Sequence, residues 1–156
     1  MSSIVLLMRH AEEPRDPKNP DLSAAGRQRA DRLAAYIPKQ FGRPDFLIAA
    51  APNRQSVRSY LTMRPLSLTT RARVETSFRS RNSKSLATRL LADPIYAQKL
   101  VVVCWTHMEL PTLAEALNAR PRDCPHPWDE TVFNLILRFD LGFSGKATVT
   151  EVIQPF

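Results

Sequence analysis

The amino-acid sequence predicts an α/β fold: a three-layer sandwich whose mostly parallel central sheet is flanked by helices and ends in a C-terminal antiparallel hairpin. Two observations predict it. Short apolar runs of strand length alternate with stretches that repeat apolar residues at helical spacing, in the order β, α, β, α, α, β, α. Two β-rich segments then follow, Thr131 to Asp140 and Ala147 to Ile153, with the hairpin-like LGFSGK between them. At 156 residues the chain is expected to form a single domain, residues 1–156, around one substantial core.

The first element is Ile4 to Met8 (IVLLM), an aliphatic run that stops at Arg9, His10 and Glu12. EPRDPKNPD, with three prolines and alternating charges, reads as an irregular loop. Ser23 suits a helix N-cap, and Ala30, Leu33, Ala34 and Ile37 fall at i, i+3, i+4 and i+7. That spacing predicts an amphipathic helix of about four turns ending near Pro38, with Arg27, Arg29 and Arg32 largely toward solvent. Asp45 to Ala51 (DFLIAAA) is a second buried strand, ending at Pro52.

PNRQSVRSYLT then predicts a helix opening directly from that strand, with Val57, Tyr60 and Leu61 as its buried stripe. Arg54 and Arg58 would share one face near its N-terminus, where unpaired backbone N–H groups favour an anion. Met63 to Lys84 has little periodicity and many Thr, Ser and Arg residues; it reads as an exposed connection that could lie over a site. Ser85 to Leu91 predicts a short helix on Leu86, Leu90 and Leu91, broken at Pro94. Lys99 to Trp105 (KLVVVCW) is the clearest buried strand. Thr106, His107, Met108 and Glu109 separate it from the helical stripe Leu110, Leu113, Ala114 and Leu117, in whose first turn Pro111 is tolerated. RPRDCPHP is a loop carrying His126 at the surface, and Trp105 and Trp128 are expected to be packing residues.

Composition narrows the function classes. The hydrophobic and charged fractions, 44% and 24%, are those of an ordinary soluble globular protein. No apolar run approaches the ~18 residues of a membrane span and no secretory leader is visible, so a cytosolic setting without membrane attachment is expected. Two cysteines make no disulfide framework, and Cys104 is expected to be a buried thiol. Three histidines without a Cys-x-x-Cys pair give no metal signal, so neither metal nor cofactor is expected. The net charge of +7, carried mainly by arginine, favours anionic partners and suits forked binding of phosphate or carboxylate. The positive charges are scattered, with no aromatic residues interleaved on a basic strand face, which argues against nucleic acid.

Three strand ends carry polar chemistry: Arg9-His10, Arg54/Arg58 and Thr106-His107. A lone Arg-His pair after a core strand is most often a surface feature; the recurrence gives it weight. As parallel neighbours, these ends would converge at one sheet edge, where open α/β sheets bind their ligands. Two histidines and two or more arginines suit phosphoryl transfer without a metal. One neutral imidazole attacks phosphorus, while the arginines and the other histidine hold the equatorial oxygens. Nearby arginines would depress the imidazole pKa and keep it neutral.

LMRHAE, SVRSYLT and VVVCWTH, in this order, resemble the histidine phosphatase superfamily, the phosphoglycerate-mutase-like fold. Arg9-His10-Ala11 stands for that family's Arg-His-Gly or Arg-His-Ala, and DLSAAGRQRA resembles its Leu-Ser/Thr-x-x-Gly helix opening. The resemblance implies that His10 is the phospho-accepting nucleophile and that Arg9, Arg58 and His107 form the phosphate pocket. It favours Arg58 over Arg54 because Ser56 to Thr62 resembles the segment around the family's second arginine; Arg54 and Thr106 stay as further candidates for phosphate contact.

The family's general acid is not placed by the motifs. Glu109 and Glu75 are the candidates, and Glu12 and Glu13 could instead orient the first loop. Met108 and Glu109 follow His107 where many members have glycines. Without an acid, good leaving groups such as phosphohistidine or acyl phosphate would be favoured. The short stretch between Arg58 and His107 leaves little room for a lid, which resembles the short members acting on phosphohistidine in proteins and equally suits a permissive small-molecule phosphatase. The expectation is a metal-independent phosphatase acting on a phosphorylated small molecule or a phosphohistidine protein. The alternative is a non-catalytic phosphoryl-binding module on the same fold.

Overall fold

A computed structural model describes residues 3–142 and 144–156; Phe143, within the LGFSGK turn, lies outside the described residues. Its centre is the run that is apolar on every residue. β4 (Leu100–Trp105) is buried along its whole length, with β1 (Ser3–Arg9) parallel on one side and β2 (Phe46–Ala49) parallel on the other. β3 (Val74–Glu75) extends the sheet beyond β2. β5 (Leu135–Leu141) pairs antiparallel with β1, and β6 (Ala147–Ile153) with β5, giving the six-stranded order β3-β2-β4-β1-β5-β6. Arg9 sits opposite Trp105 and Ala49 opposite Cys104, so the carboxyl ends of β1, β2 and β4 lie level at one edge.

Alternate residues of these strands feed two helical layers. Leu6, Met8, Leu47, Val102 and Cys104 pack with α1 (Ala24–Phe41) and α2 (Arg58–Thr70). Val5, Leu7, Val101, Val103 and Trp105 pack with α3 (Ser83–Ala92) and α4 (Leu110–Ala116). Each fully buried aliphatic side chain is worth about 1.5–3 kcal/mol, so a strand buried on both faces belongs in the middle of the sheet. This is the three-layer sandwich with a terminal hairpin that the sequence predicts. Cys104 is buried as expected, and burial pushes its thiol up to about 12. Among the described residues no helix is long and apolar enough to cross a membrane.

Several local expectations are corrected. α1 is capped by the Ser23 hydroxyl, which accepts the Gly26 N–H at 3.0 Å, but it runs through Pro38 to Phe41. Gly42 ends it at φ 98°, its N–H reaching the Pro38 carbonyl. Arg29 does not face solvent freely. Its Nε and Nη2 meet both Glu12 carboxylate oxygens at 2.9 and 3.0 Å, and its Nη1 donates to Gln154 Oε1 and the Phe156 carbonyl at 2.8 and 2.6 Å. α2 does not open at the end of β2. Residues 52–57 are irregular, with the Asn53 carboxamide oxygen accepting the N–H groups of Gln55 and Ser56, and the helix begins at Arg58.

α2 then continues through Met63–Thr70, where an exposed connection is expected, and its buried face is Ser59, Thr62, Met63 and Leu66 rather than Val57, Tyr60 and Leu61. The hydroxyls of Thr62 and Thr70 donate to the carbonyls of Arg58 and Leu66, four residues back, so polar residues are absorbed inside the helix. β5, finally, starts at Leu135 and not Thr131, because Asp129 folds Thr131 into a turn through both its N–H and its hydroxyl.

Candidate active site

The level strand ends open into a cleft of about 740 Å³, lined among others by His10, Glu13, Arg58, Thr106, His107 and Glu109. His10, Arg58, Thr106 and His107 therefore do converge on one cleft; Arg9 does not line it and meets it through Glu13. His10 continues the β1 ladder, its N–H donating to the Trp105 carbonyl at 3.1 Å, and its side chain is almost wholly buried. Its Nδ1 lies 2.8 Å from the Ala11 carbonyl. A carbonyl only accepts, so Nδ1 carries the proton and Nε2 keeps its lone pair. Burial, reinforced by the charges of Arg9 and Arg58, lowers the His10 pKa to about 4, and the imidazole is neutral at pH 7. His107 is less enclosed, and its pKa is lowered mainly by burial and then by the charge of Arg9.

The two arginines are held from behind. Arg9 lies with its guanidinium 4.1 Å from the centroid of the Phe133 ring, and its Nη1 donates to the Glu130 carbonyl. Arg58, at the first turn of α2, donates through Nε to the Asp21 carbonyl at 3.1 Å and through Nη2 to the Asn19 carbonyl. Between them sits Glu13. One carboxylate oxygen takes Arg9 Nη2 at 3.1 Å and the other takes Arg58 Nη1 at 3.0 Å. The Glu13 carboxylate thus bridges the two guanidinium groups, an arrangement that suits forked recognition of an anion.

The remaining sequence candidates divide. Glu109 lines the cleft just before α4, its Oε1 accepting the Ser83 hydroxyl at 3.0 Å. Thr106 also lines the cleft, its hydroxyl 2.6 Å from that of Ser80. Glu75 is not in the cleft: it lies on β3, where its carboxylate pairs with Arg89 of α3 at 3.1 Å. Arg54 is exposed in the irregular loop and does not line the cleft, because the helix face it would share with Arg58 has not yet begun. His126 is exposed, as expected. Sequence reading named Glu13 only as a residue that could orient its loop, and did not name Arg79 or Arg81, which line the cleft from the connection before α3. Among the described residues no group of three or more His, Cys, Asp or Glu side chains is arranged to hold a metal ion.

No family model matches the sequence, and no curated protein matches it. Solved structures do share its architecture. The protein histidine phosphatase SixA, complexed with tungstate, superposes at a TM-score of 0.71 with 16% identity over 96% of each chain. A mycobacterial glucosyl-3-phosphoglycerate phosphatase superposes at 0.67, with 13% identity over 99% of each chain. A variant of a phosphoserine phosphatase from Entamoeba histolytica, in complex with phosphoserine, superposes at 0.65, with 13% identity over 97% of this chain and 96% of that one. The chain thus has the histidine-phosphatase fold that LMRHAE and its companion motifs resemble.

Proposed function

We propose that this protein is a metal-independent phosphatase that works through a phosphohistidine on His10. One observation carries the reading: a buried, neutral imidazole with its proton fixed on Nδ1, lining a cleft beside Glu13, which bridges two carbonyl-anchored arginines. The Nε2 lone pair attacks phosphorus, and the bond from phosphorus to the leaving group breaks. Arg9, Arg58 and His107 hold the phosphoryl oxygens as charge moves onto them. Water then attacks the phosphohistidine, the N–P bond breaks, and the electron pair returns to Nε2. The fold shared with phosphohistidine and phosphoserine phosphatases supports the chemistry. The open cleft supports a phosphorylated small molecule or a phosphohistidine protein as substrate.

The test is phosphate release with a chelator present, over aryl, sugar and nucleotide monophosphates and a phosphohistidine protein, combined with trapping of an acid-labile, alkali-stable phosphoenzyme. Turnover with a label on His10 is the expected result. Tungstate binding without turnover on any member of the panel points instead to a phosphoryl-binding module. That second reading is favoured by one feature: both glutamates lining the cleft are already engaged, Glu13 by the arginines and Glu109 by Ser83.

Two substitutions probe those glutamates. Glu109→Gln is expected to lower kcat/KM for alkyl phosphates by about 10²-fold and for aryl phosphates far less, since only the poor leaving group needs the proton. Glu75→Gln, outside the cleft, should leave both series alone. If Glu109→Gln spares the alkyl series too, no acid works there. Glu13→Gln is expected to tighten tungstate binding by about fivefold, measured by calorimetry. It removes an internal anionic competitor, while Arg9 and Arg58 stay held by the carbonyls of Glu130, Asp21 and Asn19. Weaker binding would mean that Glu13 organises the arginines more than it competes for them.

A further inference from the structure

The His10 N–H makes the last bond between β1 and β4, so the next donor, the Ala11 N–H, lies beyond the ladder. Ala11 is fully buried, where an unpaired N–H is costly. Its partner comes from another element. The hydroxyl oxygen of Thr62, one turn into α2, accepts the Ala11 N–H at 2.9 Å. That hydroxyl gives its own proton to the Arg58 carbonyl at 2.7 Å. An N–H only donates and a carbonyl only accepts, so the group between them must do both, as a hydroxyl can. Ala11 in turn offers the carbonyl that takes the His10 Nδ1–H at 2.8 Å. A continuous hydrogen-bonded path thus joins the backbone of Arg58 to the imidazole of His10, and Thr62, Ala11 and His10 are all buried along it. The same helix supplies a contrast. Thr70, at its far end, also donates to the carbonyl four residues back, that of Leu66 at 2.6 Å, and accepts a loop N–H, that of Ala72 at 3.4 Å. None of those partners lines the cleft. Thr62 spends the same two kinds of bond on the residue after His10 and on the arginine beside it.

We propose that Thr62 is a positioning residue: its hydroxyl sets the Ala11 peptide against α2, so that the Ala11 carbonyl holds the His10 proton on Nδ1 and the lone pair stays on Nε2. The proposal rests on the phosphatase reading for the use made of that lone pair; the hydrogen-bonded path does not. Without the hydroxyl, the buried Ala11 N–H must turn toward another acceptor. The Ala11 carbonyl turns with it, and the imidazole proton is free to sit on either nitrogen. Arg9 and Arg58 keep their own anchors, the carbonyls of Glu130, Asp21 and Asn19. Loss of the hydroxyl therefore acts on turnover and spares anion binding.

Long-range proton–nitrogen correlation spectra of the imidazole read the tautomer directly and need no substrate. Wild type is expected to carry the His10 proton on Nδ1. Thr62→Val, nearly the same shape without the hydroxyl, is expected to show both tautomers, and Thr62→Ser to restore the first. On an aryl phosphate, kcat falls by about 30-fold in Thr62→Val and returns to within about threefold of wild type in Thr62→Ser. Tungstate affinity stays within about threefold throughout. Thr70→Val removes the matching hydroxyl at the far end of α2, and it keeps both the tautomer and kcat. In a protein that turns over, a fall in kcat without a change of tautomer, or the reverse, would overturn the proposal. So would Thr62→Val that behaves as wild type, tungstate binding weakened as much as kcat, an equal loss in Thr70→Val, or no rescue by serine. Should Thr62→Val fail to fold, wild type and Thr62→Ser decide. An Ala11 amide protected from hydrogen exchange, with the proton on Nδ1 in both, upholds the path; a freely exchanging amide or a proton on Nε2 overturns it. A tautomer that responds to Thr62→Val while no ester is hydrolysed, even by wild type, leaves the path standing and removes the phosphatase reading. Turnover by a wild type whose proton sits on Nε2 does the reverse.

Discussion

Phosphate release is expected to fall by about 10⁴-fold or more when His10 is replaced by alanine. The size follows from the proposed mechanism: without the imidazole there is no group for phosphorus to bond, and the arginines alone would only hold the ester. Tungstate affinity in the same variant should change by no more than about threefold, because Arg9 and Arg58 keep their carbonyl anchors. The pH dependence distinguishes this histidine from a surface one. Its pKa is lowered to about 4, so the neutral, nucleophilic form prevails through the neutral range. kcat/KM should therefore lack an acid limb at the ordinary histidine value near 6.5, and fall only at lower pH.

Stability responds with the same sign. The unfolded chain takes up a proton on His10 near 6.5 and the folded chain only near 4. The imidazole's contribution is thus complete above 6.5 and is lost as pH falls toward 4. It amounts to about 3 kcal/mol, so the denaturant midpoints at pH 7 and 4.5 should lie closer together in the alanine variant than in wild type. A His10→Ala protein that keeps wild-type turnover would sink the mechanism outright.

The parts of this molecule that are legible in sequence are those where one physical term dominates. IVLLM and LVVVCW announce β1 and β4 because strands covered on both faces must be apolar at every position. His10 and His107 are legible because they stand just beyond the carboxyl ends of such strands, and Arg58 because it opens the helix that follows β2; the parallel pairing that brings those ends together follows from the βα alternation. The second half of α2 is obscured by Pro65 and by hydroxyl-bearing residues whose hydrogen bonds turn inward. Glu13 lies in an aperiodic charged loop, and its role exists only once α2 carries Arg58 to it. Glu75 and Glu109 look alike in sequence; pairing of β3 with β2 commits the first to Arg89, and the turn after β4 delivers the second to the cleft. Arg79 and Arg81 belong to a stretch with no period at all, where only folding shows what the charges face.

Gly26→Ala should cost about 2–4 kcal/mol of stability, although alanine in place of glycine ordinarily strengthens a helix by about 1 kcal/mol. Gly26 is buried in the first turn of α1, and a Cβ there would lie 2.3 Å from the Glu12 carbonyl oxygen and 3.0 Å from the Glu12 nitrogen. Both are backbone atoms, so no side chain can swing aside. The same carbonyl accepts the Ser23 N–H at 2.9 Å, and Glu12 is pinned to Arg29, so the helix opening and the chain just after His10 are pressed together. Relief requires moving that chain, and with it Glu13 and the Ala11 carbonyl that fixes the His10 tautomer. Turnover should therefore drop by about tenfold or more even where the variant is fully folded, since small displacements of a nucleophile are costly. Ala24→Gly, an exposed change in the same turn, supplies the contrast: a loss of about 1 kcal/mol from propensity alone, with kcat preserved. Denaturant midpoints and kcat on both variants separate the terms. If Gly26→Ala is as stable as wild type, helix propensity has outweighed the contact, and the close approach of α1 to the His10 loop cannot be what positions the site.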